Sequence, residues 1–356
     1  RFLIKLVLVG GVAGGLVGLL FGRRSFSRLW RAVAIGALSV LLILGGVTLD
    51  YDRKAFTSPR YEGALEAAPW ILTLIDQGLT RLPELNAKLS LVAGNLNRLF
   101  SRVDELDPLA RVDGELKVLQ VTDIHNNPAS LEFINRVIEG FGVDLVIDTG
   151  DLTDYGTTLE AELMRKIKTL NVRYLFIPGN HDSPEVIAKL EGFTNVRVLK
   201  DGIFEFQGLR VAGWGDPASR SSGLLMASDE AMKDEAAKLA NFLQKASTPP
   251  DILAAHNRRL VEGLTTYPPV ILHGHDHRSA IEETKETVYI NAGSSGAAGL
   301  RGLENDALPY SVALLRFDRP GGKEGYQLVA VDLIHIYSLH GKFIIERKVL
   351  RSRGGE

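Results

Sequence analysis

Leu116-Lys117-Val118-Leu119-Gln120-Val121-Thr122-Asp123-Ile124-His125 decides the fold. Its first six residues read as a buried strand, and they run into an aspartate and a histidine two positions apart. The same arrangement returns four times toward the C-terminus. Leu145 to Asp148 leads into Gly150-Asp151-Leu152-Thr153-Asp154, and Tyr174 to Pro178 into Gly179-Asn180-His181-Asp182. Ile252 to Ala255 ends at His256, and Val270 to Leu272 leads into Gly274-His275-Asp276-His277. Helical stretches lie between, at Leu131 to Gly140, Thr158 to Leu170, Pro184 to Glu191 and Ala227 to Lys245. Short buried strands alternating with helices predict an α/β layer protein. Each loop after a strand carries hard-oxygen or imidazole groups, the ligands that divalent metals take.

Five such motifs in this order resemble the calcineurin-like metallophosphoesterase superfamily, of the membrane-anchored bacterial type. The resemblance implies a four-layer α-β-β-α sandwich of two facing sheets between helices, with the metal site at the strand ends. It also implies two divalent ions, manganese, iron or zinc. Asp123, His125 and His277 would bind the first, Asn180, His256 and His275 the second, and Asp151 would bridge them. Two metal ions ~3.5–4 Å apart neutralise a phosphate and make a hydroxide from bridging water at neutral pH. His181 holds the position that protonates the leaving oxygen in this family, a task that suits a group titrating near neutrality.

On an extended chain, side chains two apart share a face, so Asp123 and His125 are expected to point together, and likewise His275 and His277. Two readings of Asp182 stay open: it orients His181, or it caps the helix that begins near Pro184. Asp154 either orients ligands or is a solvated loop acid. Purple acid phosphatases place a tyrosine ligand where this chain has Asp154, and Tyr155 is one position off, so no ferric–tyrosinate site is expected. Five of the eight histidines fall on motif positions. His273 is expected to be strand-end structure, and His335 and His340 receive no role. Arg258 and Arg301 are candidates for holding a second phosphate or a headgroup, since arginine recognises phosphate bidentately. The alternative for each is an ordinary solvated arginine. Ala292-Gly293-Ser294-Ser295-Gly296, after a strand over Thr287 to Asn291, is expected to line the site.

The chain has 356 residues, 41 basic against 43 acidic, and no cysteine. The length suffices for one sizeable core with accessory segments. The charge balance gives no electrostatic ground for a nucleic-acid partner. Without cysteine there are no disulfides, thiolate zinc sites or cysteine nucleophile.

The first 50 residues differ from the rest. Leu6 to Gly22 and Ala32 to Leu49 carry no charge, and each is near the short end of the ~17–25 residues that cross a bilayer. Arg23, Arg24, Arg28 and Arg31 lie between them. This predicts a transmembrane hairpin, against the alternative of a signal peptide followed by a buried helix. The positive loop is expected in the cytoplasm and the rest of the chain on the extracytoplasmic face. The chain begins at Arg1 rather than methionine, which leaves room for an upstream segment that would change this topology. Gly10, Gly14, Gly18 and Gly22 form a bare stripe for close helix packing, either on the second helix through Ala32 and Gly36 or on another copy in a homodimer. Leu85, Leu89, Val92, Leu96, Leu99, Val103 and Leu106 form a seam of 3.5-residue period. Docking on the catalytic domain is the expected use of that seam, with a coiled coil or the lipid surface as alternatives.

The expected organisation is therefore a hairpin over 1–50, a helical linker over 51–112, a catalytic domain over 113–350 and a tail over 351–356. The expected function is a membrane-bound metal-dependent phosphohydrolase acting on a phosphodiester or pyrophosphate, lipid-linked or otherwise of the envelope. The alternatives are a tethered phosphodiesterase for soluble nucleotides and a non-catalytic scaffold of the same fold.

Overall fold

The computed structural model describes residues 2–21, 26–49, 114–222, 226–297, 299, 308–319, 325–337 and 342–350. The linker with its heptad seam, the C-terminal tail, His340 and Arg301 lie outside these residues. The chain divides into two units, residues 1–68 and 69–356.

In the first unit, helices α1 (Phe2–Phe21) and α2 (Phe26–Leu49) pack on each other. The glycine stripe makes the contact. A Cβ at Gly14 would strike the Ala32 carbonyl and the Gly36 backbone, one at Gly10 would strike Val40, and one at Gly18 would strike Ala32. The sequence left a choice between the second helix and another copy; at Gly10, Gly14 and Gly18 the stripe is covered by α2, and Gly22 lies outside the described residues. Leu8, Val9, Val12 and Leu16 of α1 and Ile35, Leu38, Leu42 and Ile43 of α2 stay exposed. Leu29–Gly46 is long and apolar enough to cross a membrane, while Leu6–Leu20 is a shorter apolar stretch.

The second unit holds two mixed sheets. Strands β1 (Leu116–Val121), β2 (Leu145–Asp148), β3 (Arg173–Phe176), β4 (Val196–Val198), β11 (Tyr310–Asp318), β12 (Gln327–Tyr337) and β13 (Lys342–Val349) form the first, in the order β13-β12-β11-β1-β2-β3-β4. The second contains β5 (Asp201–Phe206), β6 (Leu209–Trp214), β7 (Ile252–Ala255), β8 (Val270–His273), β9 (Ala280–Glu283) and β10 (Val288–Asn291), in the order β5-β6-β7-β8-β10-β9. β1 to β4 run parallel, as do β6, β7, β8 and β10. Antiparallel strands complete the sheets at their sides.

Alternation along the strands sorts the core. Leu119, Val121, Val146 and Phe176 share one cluster with Phe133, Ile134 and Val137 of helix α3 (Pro128–Phe141) and Val186 of α5 (Pro184–Glu191). Val118, Leu145, Ile147 and Leu175, one residue out of phase, pack instead with Val211, Ile252, Leu272 and Ile290 of the second sheet. Trp214, Leu253 and Ile271 pack with Met232 and Leu239 of α6 (Asp229–Lys245). Gln120 faces the second sheet, where its amide donates to the His273 carbonyl at 2.8 Å. That bond fixes β1 against β8 just before both strands reach their ligand loops.

The helices begin as their sequences direct. Asn127 caps α3 with Pro128 in the first turn, and Ser183 caps α5 with Pro184 in the same place. The stretch expected as one helix from Thr158 to Leu170 is α4 (Thr158–Leu163) followed by a 3-10 segment, Met164–Thr169.

Candidate metal centre

The ligand residues follow the carboxyl ends of parallel strands, the usual place for a site in such sheets. The loops after β1 and β2 continue the ladder beyond the strands. Asp123 N donates to Gly150 O at 2.9 Å, His125 N to Asp151 O at 3.1 Å, and Asn126 N to Leu152 O at 2.9 Å. The first two motifs are thus one backbone unit.

This unit is not extended. Asp123, His125, Asn126 and Asp151 have φ of 52°, 48°, 59° and 56°, and His275 and His277 have 77° and 57°. All six lie in the left-handed region, where a side chain costs energy and where strain marks functional sites. The expectation that alternation on an extended chain aims these side chains is therefore corrected: left-handed turns aim them. Asp123 and His125 do converge. His275 and His277 separate, one to each of two clusters.

Asp123, His125 and His277 form the first cluster, and Asp151, His256 and His275 the second; each offers three ligand atoms within 4.8 Å of one another. In the first, His277 Nε2 lies 3.2 Å from Asp123 Oδ1 and 3.2 Å from His125 Nε2. In the second, His256 Nε2 lies 3.1 Å from Asp151 Oδ2 and 3.2 Å from His275 Nδ1. Lone pairs of ring nitrogens facing each other at such distances repel unless a proton or a cation lies between them.

The surroundings fit a cation. Asp123 Oδ2 accepts from Thr122 Oγ1 at 2.6 Å and from His275 N at 3.0 Å. Its Oδ1, turned toward the cluster, is buried and has no donor in hydrogen-bonding geometry among the described residues. Asn180 Oδ1 is likewise buried without a partner there. Asn180 lies between Gly179, where a Cβ would strike Asp151 Oδ1, and His181, whose N–H donates to that oxygen at 2.9 Å. The field points the same way. Burial pushes Asp123 up, but His125 and His277 beside it outweigh burial and hold it well below the usual carboxylate range. Burial also raises Asp151, and the charge of His256 overrides it, leaving the group at about 2. Burial pulls His256 down, and Asp151 more than reverses this, to about 10. The carboxylates thus demand positive charge where the ring nitrogens meet, which divalent ions supply. The residues present fit such ions.

The rings are also oriented from behind. His125 Nδ1 lies 3.1 Å from Asp154 Oδ1, and His256 Nδ1 donates to Thr149 O at 2.8 Å. Both leave Nε2 facing the cluster. Asp154 is 1% exposed, so its reading as a solvated acid is overturned. Its carbonyl lies 2.7 Å from His181 Nδ1. His181 Nε2 points to the site, 4.0 Å from Asp151 Oδ2, and the side chain keeps 30% exposure.

Two residues make other contacts than expected. Asp182 neither orients His181 nor caps α5, whose cap is Ser183. Its Oδ2 accepts from Asp151 N and Gly179 N, and its Oδ1 from Leu152 N, Thr153 N and Thr153 Oγ1, at 2.8 to 3.3 Å. It ties the third motif to the backbone of the second. Arg258 is engaged away from the clusters: both its terminal nitrogens bond Glu282, at 2.9 and 2.8 Å, and it stacks 4.8 Å over Tyr289. Glu282 is 24 residues away, which hid this pairing from a reading of neighbours. His273 ends β8 as expected. The Gly-Ser stretch holds the first motif from behind, with Ser294 Oγ donating to Asp123 O and Ser295 Oγ accepting from Thr122 N.

Sequence reading missed Glu160 and Asn291. Asn291, the last residue of β10, donates to Asp276 Oδ1 at 2.6 Å and steadies the loop that carries His275 and His277. The signal for Glu160 was the Thr157-x-x-Glu160 capping pattern.

The family model for calcineurin-like phosphoesterases matches residues 116–279. A probable glycerophosphodiester phosphodiesterase of Arcobacter nitrofigilis is 54% identical over 43 residues, 12% of this chain and 16% of that protein's length. Among solved structures, an archaeal phosphodiesterase is 15% identical over 60% of this chain and 99% of its own, with TM-score 0.36. A putative 5'-nucleotidase of Staphylococcus aureus is 14% identical over 61% and 53%, with TM-score 0.41. Vps29 of Entamoeba histolytica is 16% identical over 66% and 100%, with TM-score 0.35. Residues 116–279 of this chain are a calcineurin-like phosphoesterase domain.

Proposed function

We propose that this chain is a membrane-anchored phosphohydrolase with two divalent ions, cleaving a phosphodiester or a pyrophosphate. The observation that carries the reading is the pair of Asp–His–His clusters with His181 beside them. The accompanying fold reading is the four-layer α-β-β-α sandwich, supported by the three apolar clusters. The domain reading is a hairpin over 1–50, a linker over 51–112, a catalytic domain over 113–350 and a tail over 351–356.

Asp123, His125 and His277 would hold one ion, Asn180, His256 and His275 the other, with Asp151 shared. When bound, such ions neutralise phosphate charge and lower the pKa of water held between them. The chain's own groups do the rest. His181, with Nδ1 fixed on the Asp154 carbonyl, presents Nε2 to the leaving oxygen and gives it a proton. Asp182 keeps Asp151 in register through backbone amides, so the shared carboxylate cannot turn away. Buried walls exclude water from behind the clusters.

The anchor reading rests on Leu29–Gly46 and on the aliphatic side chains that α1 and α2 leave exposed. Arg23, Arg24, Arg28 and Arg31, between the two uncharged runs of the sequence, favour a cytoplasmic turn and an extracytoplasmic catalytic domain. Tethering raises the local concentration of a lipid-linked ester. The relative named as a glycerophosphodiester phosphodiesterase favours a diester over a monoester.

The test is hydrolysis of bis-p-nitrophenyl phosphate and p-nitrophenyl phosphate by the full chain in detergent, with manganese or with chelator. Metal-dependent turnover of the diester that is lost in Asp151→Ala supports the reading. A chain that binds no metal under these conditions overturns it and leaves the scaffold.

A further inference from the structure

Glu160 lies in the first turn of α4 and is fully buried. An uncompensated buried carboxylate is costly, and this one is surrounded by donors. Its Oε1 accepts from Asn126 Nδ2 at 2.5 Å, Asp154 N at 3.2 Å and Tyr155 N at 3.0 Å. Its Oε2 accepts from Thr157 N at 2.7 Å and Thr157 Oγ1 at 2.9 Å, and Thr157 Oγ1 accepts from Glu160 N in return. Capping needs only the Thr157 half of this set. The Oε1 half reaches out of the helix to the two loops that carry the clusters.

Those contacts fall on particular residues. Asn126 follows His125 and shares its left-handed backbone. Asp154 orients two imidazoles at once, His125 through its carboxylate and His181 through its carbonyl. Both directions depend on where the Asp154 peptide stands, and Glu160 fixes that peptide from the Asp154 N–H side.

We propose that Glu160 is a positioning residue, which through Asp154 sets the ring of His125 in the first metal cluster and that of His181 at the leaving oxygen. The inference rests on the metal-site reading above. It assigns Glu160 a role that helix capping does not require, and it couples metal affinity in one cluster to proton delivery. The ring of His256 in the second cluster leans on Thr149 instead and is outside this network.

The substitution Glu160→Gln keeps the shape and replaces one acceptor oxygen by an amide donor that meets other donors. Manganese binding to the full chain in detergent is followed by calorimetric titration, with Thr157→Ala as control. The control weakens the cap and leaves the Oε1 contacts. In E160Q one manganese dissociation constant should rise by about tenfold or more, the range for lost ligand support, and the other should stay. Hydrolysis of an alkyl diester, whose leaving group needs a proton, should fall further than that of bis-p-nitrophenyl phosphate. T157A should lower thermal stability and change neither ratio. Wild-type constants and an unchanged alkyl-to-aryl ratio in E160Q overturn the proposal, as does the same change in T157A. Should E160Q not fold, Glu160→Asp, which draws the charge back by one methylene, is measured with the same outcomes. A wild-type chain that binds no manganese overturns the metal reading itself, and that result appears before any substitution is compared.

Discussion

The two clusters use the same ligand types and are held in opposite ways. In the first, the ring of His125 leans on a carboxylate, Asp154, itself held by a loop and a helix turn. In the second, the ring of His256 leans on a backbone carbonyl, Thr149 O, one residue beyond β2. A carboxylate behind an imidazole raises its basicity and responds to changes around it, whereas a peptide carbonyl at a strand end moves only with the sheet. The first cluster is thus supported through side chains of a loop and a helix turn, and the second through the backbone at a strand end.

The largest effect should come from removing what the two share. Asp151→Ala takes a ligand from the second cluster and the proposed bridge from both. Activity should fall to background, beyond the ~10²–10⁴-fold that a general acid contributes, with metal content falling in the same preparation. His181→Ala spares both clusters, so metal content should be unchanged while turnover of an alkyl diester drops within that ~10²–10⁴-fold range. Equal loss of metal in both variants would break the distinction between ligand and acid.

Asp154→Asn addresses the comparison directly. It should weaken manganese binding by ~10–100-fold at one site only, as for other outer partners of metal ligands. Equal weakening at both sites would mean that the clusters are not independently supported. Chelation comes next. Buried Asp123 and Asp151 lose their counter-charge, so the thermal midpoint should drop with chelator and recover with excess manganese, each bound ion adding about 2.7 kcal/mol of stability at a hundredfold excess over its dissociation constant.

The smallest effect lies outside the site and sharpens the contrast between a site carboxylate and a structural one. Glu235 accepts from Trp214 Nε1 at 3.0 Å and pairs with Arg220 and with Lys238. Burial pushes its carboxyl up, but these cations outweigh burial and leave it below its ordinary value. A depressed folded pKa stabilises above the unfolded value of about 4.3, and the contribution is lost as pH falls from there through the folded pKa. Arg220 is about half exposed. Arg220→Ala should therefore cost no more than about 1 kcal/mol near neutrality and less below about pH 4, by denaturant titration. A cost that grows in acid would refute the sign.

The two Asp–His–His clusters were legible as candidates because chemistry restricts them: few side chains bind hard metals, and they recur after apolar runs of strand length. β1, β2 and β7 begin and end where the sequence places them. The reason for convergence was not legible, since nothing in Asp123-Ile124-His125 announces left-handed backbone without glycine. The contacts of Asp182 were not legible because most of its partners are backbone amides, several of them some 30 positions earlier, which carry no side-chain signature. The pairing of Arg258 was not legible because Glu282 comes beside it only once β9 and β10 pair. β11 and β12 went unread although Tyr310–Phe317 is continuously buried. They follow the last motif, and no ligand loop drew attention to them.

The left-handed ligands bear on protein design. Six residues hold a conformation that costs on the order of 1–3 kcal/mol each outside glycine, and two sheets with three apolar clusters maintain it. Short peptides carrying Asp123-Ile124-His125 or His275-Asp276-His277 would relax to other backbone regions and present their donors in different directions. A designer who grafts this centre onto another scaffold must therefore transfer the loop backbone and its hydrogen-bonded supports together with the side chains. A library that varies only the ligand identities on regular strands would be searching the wrong space.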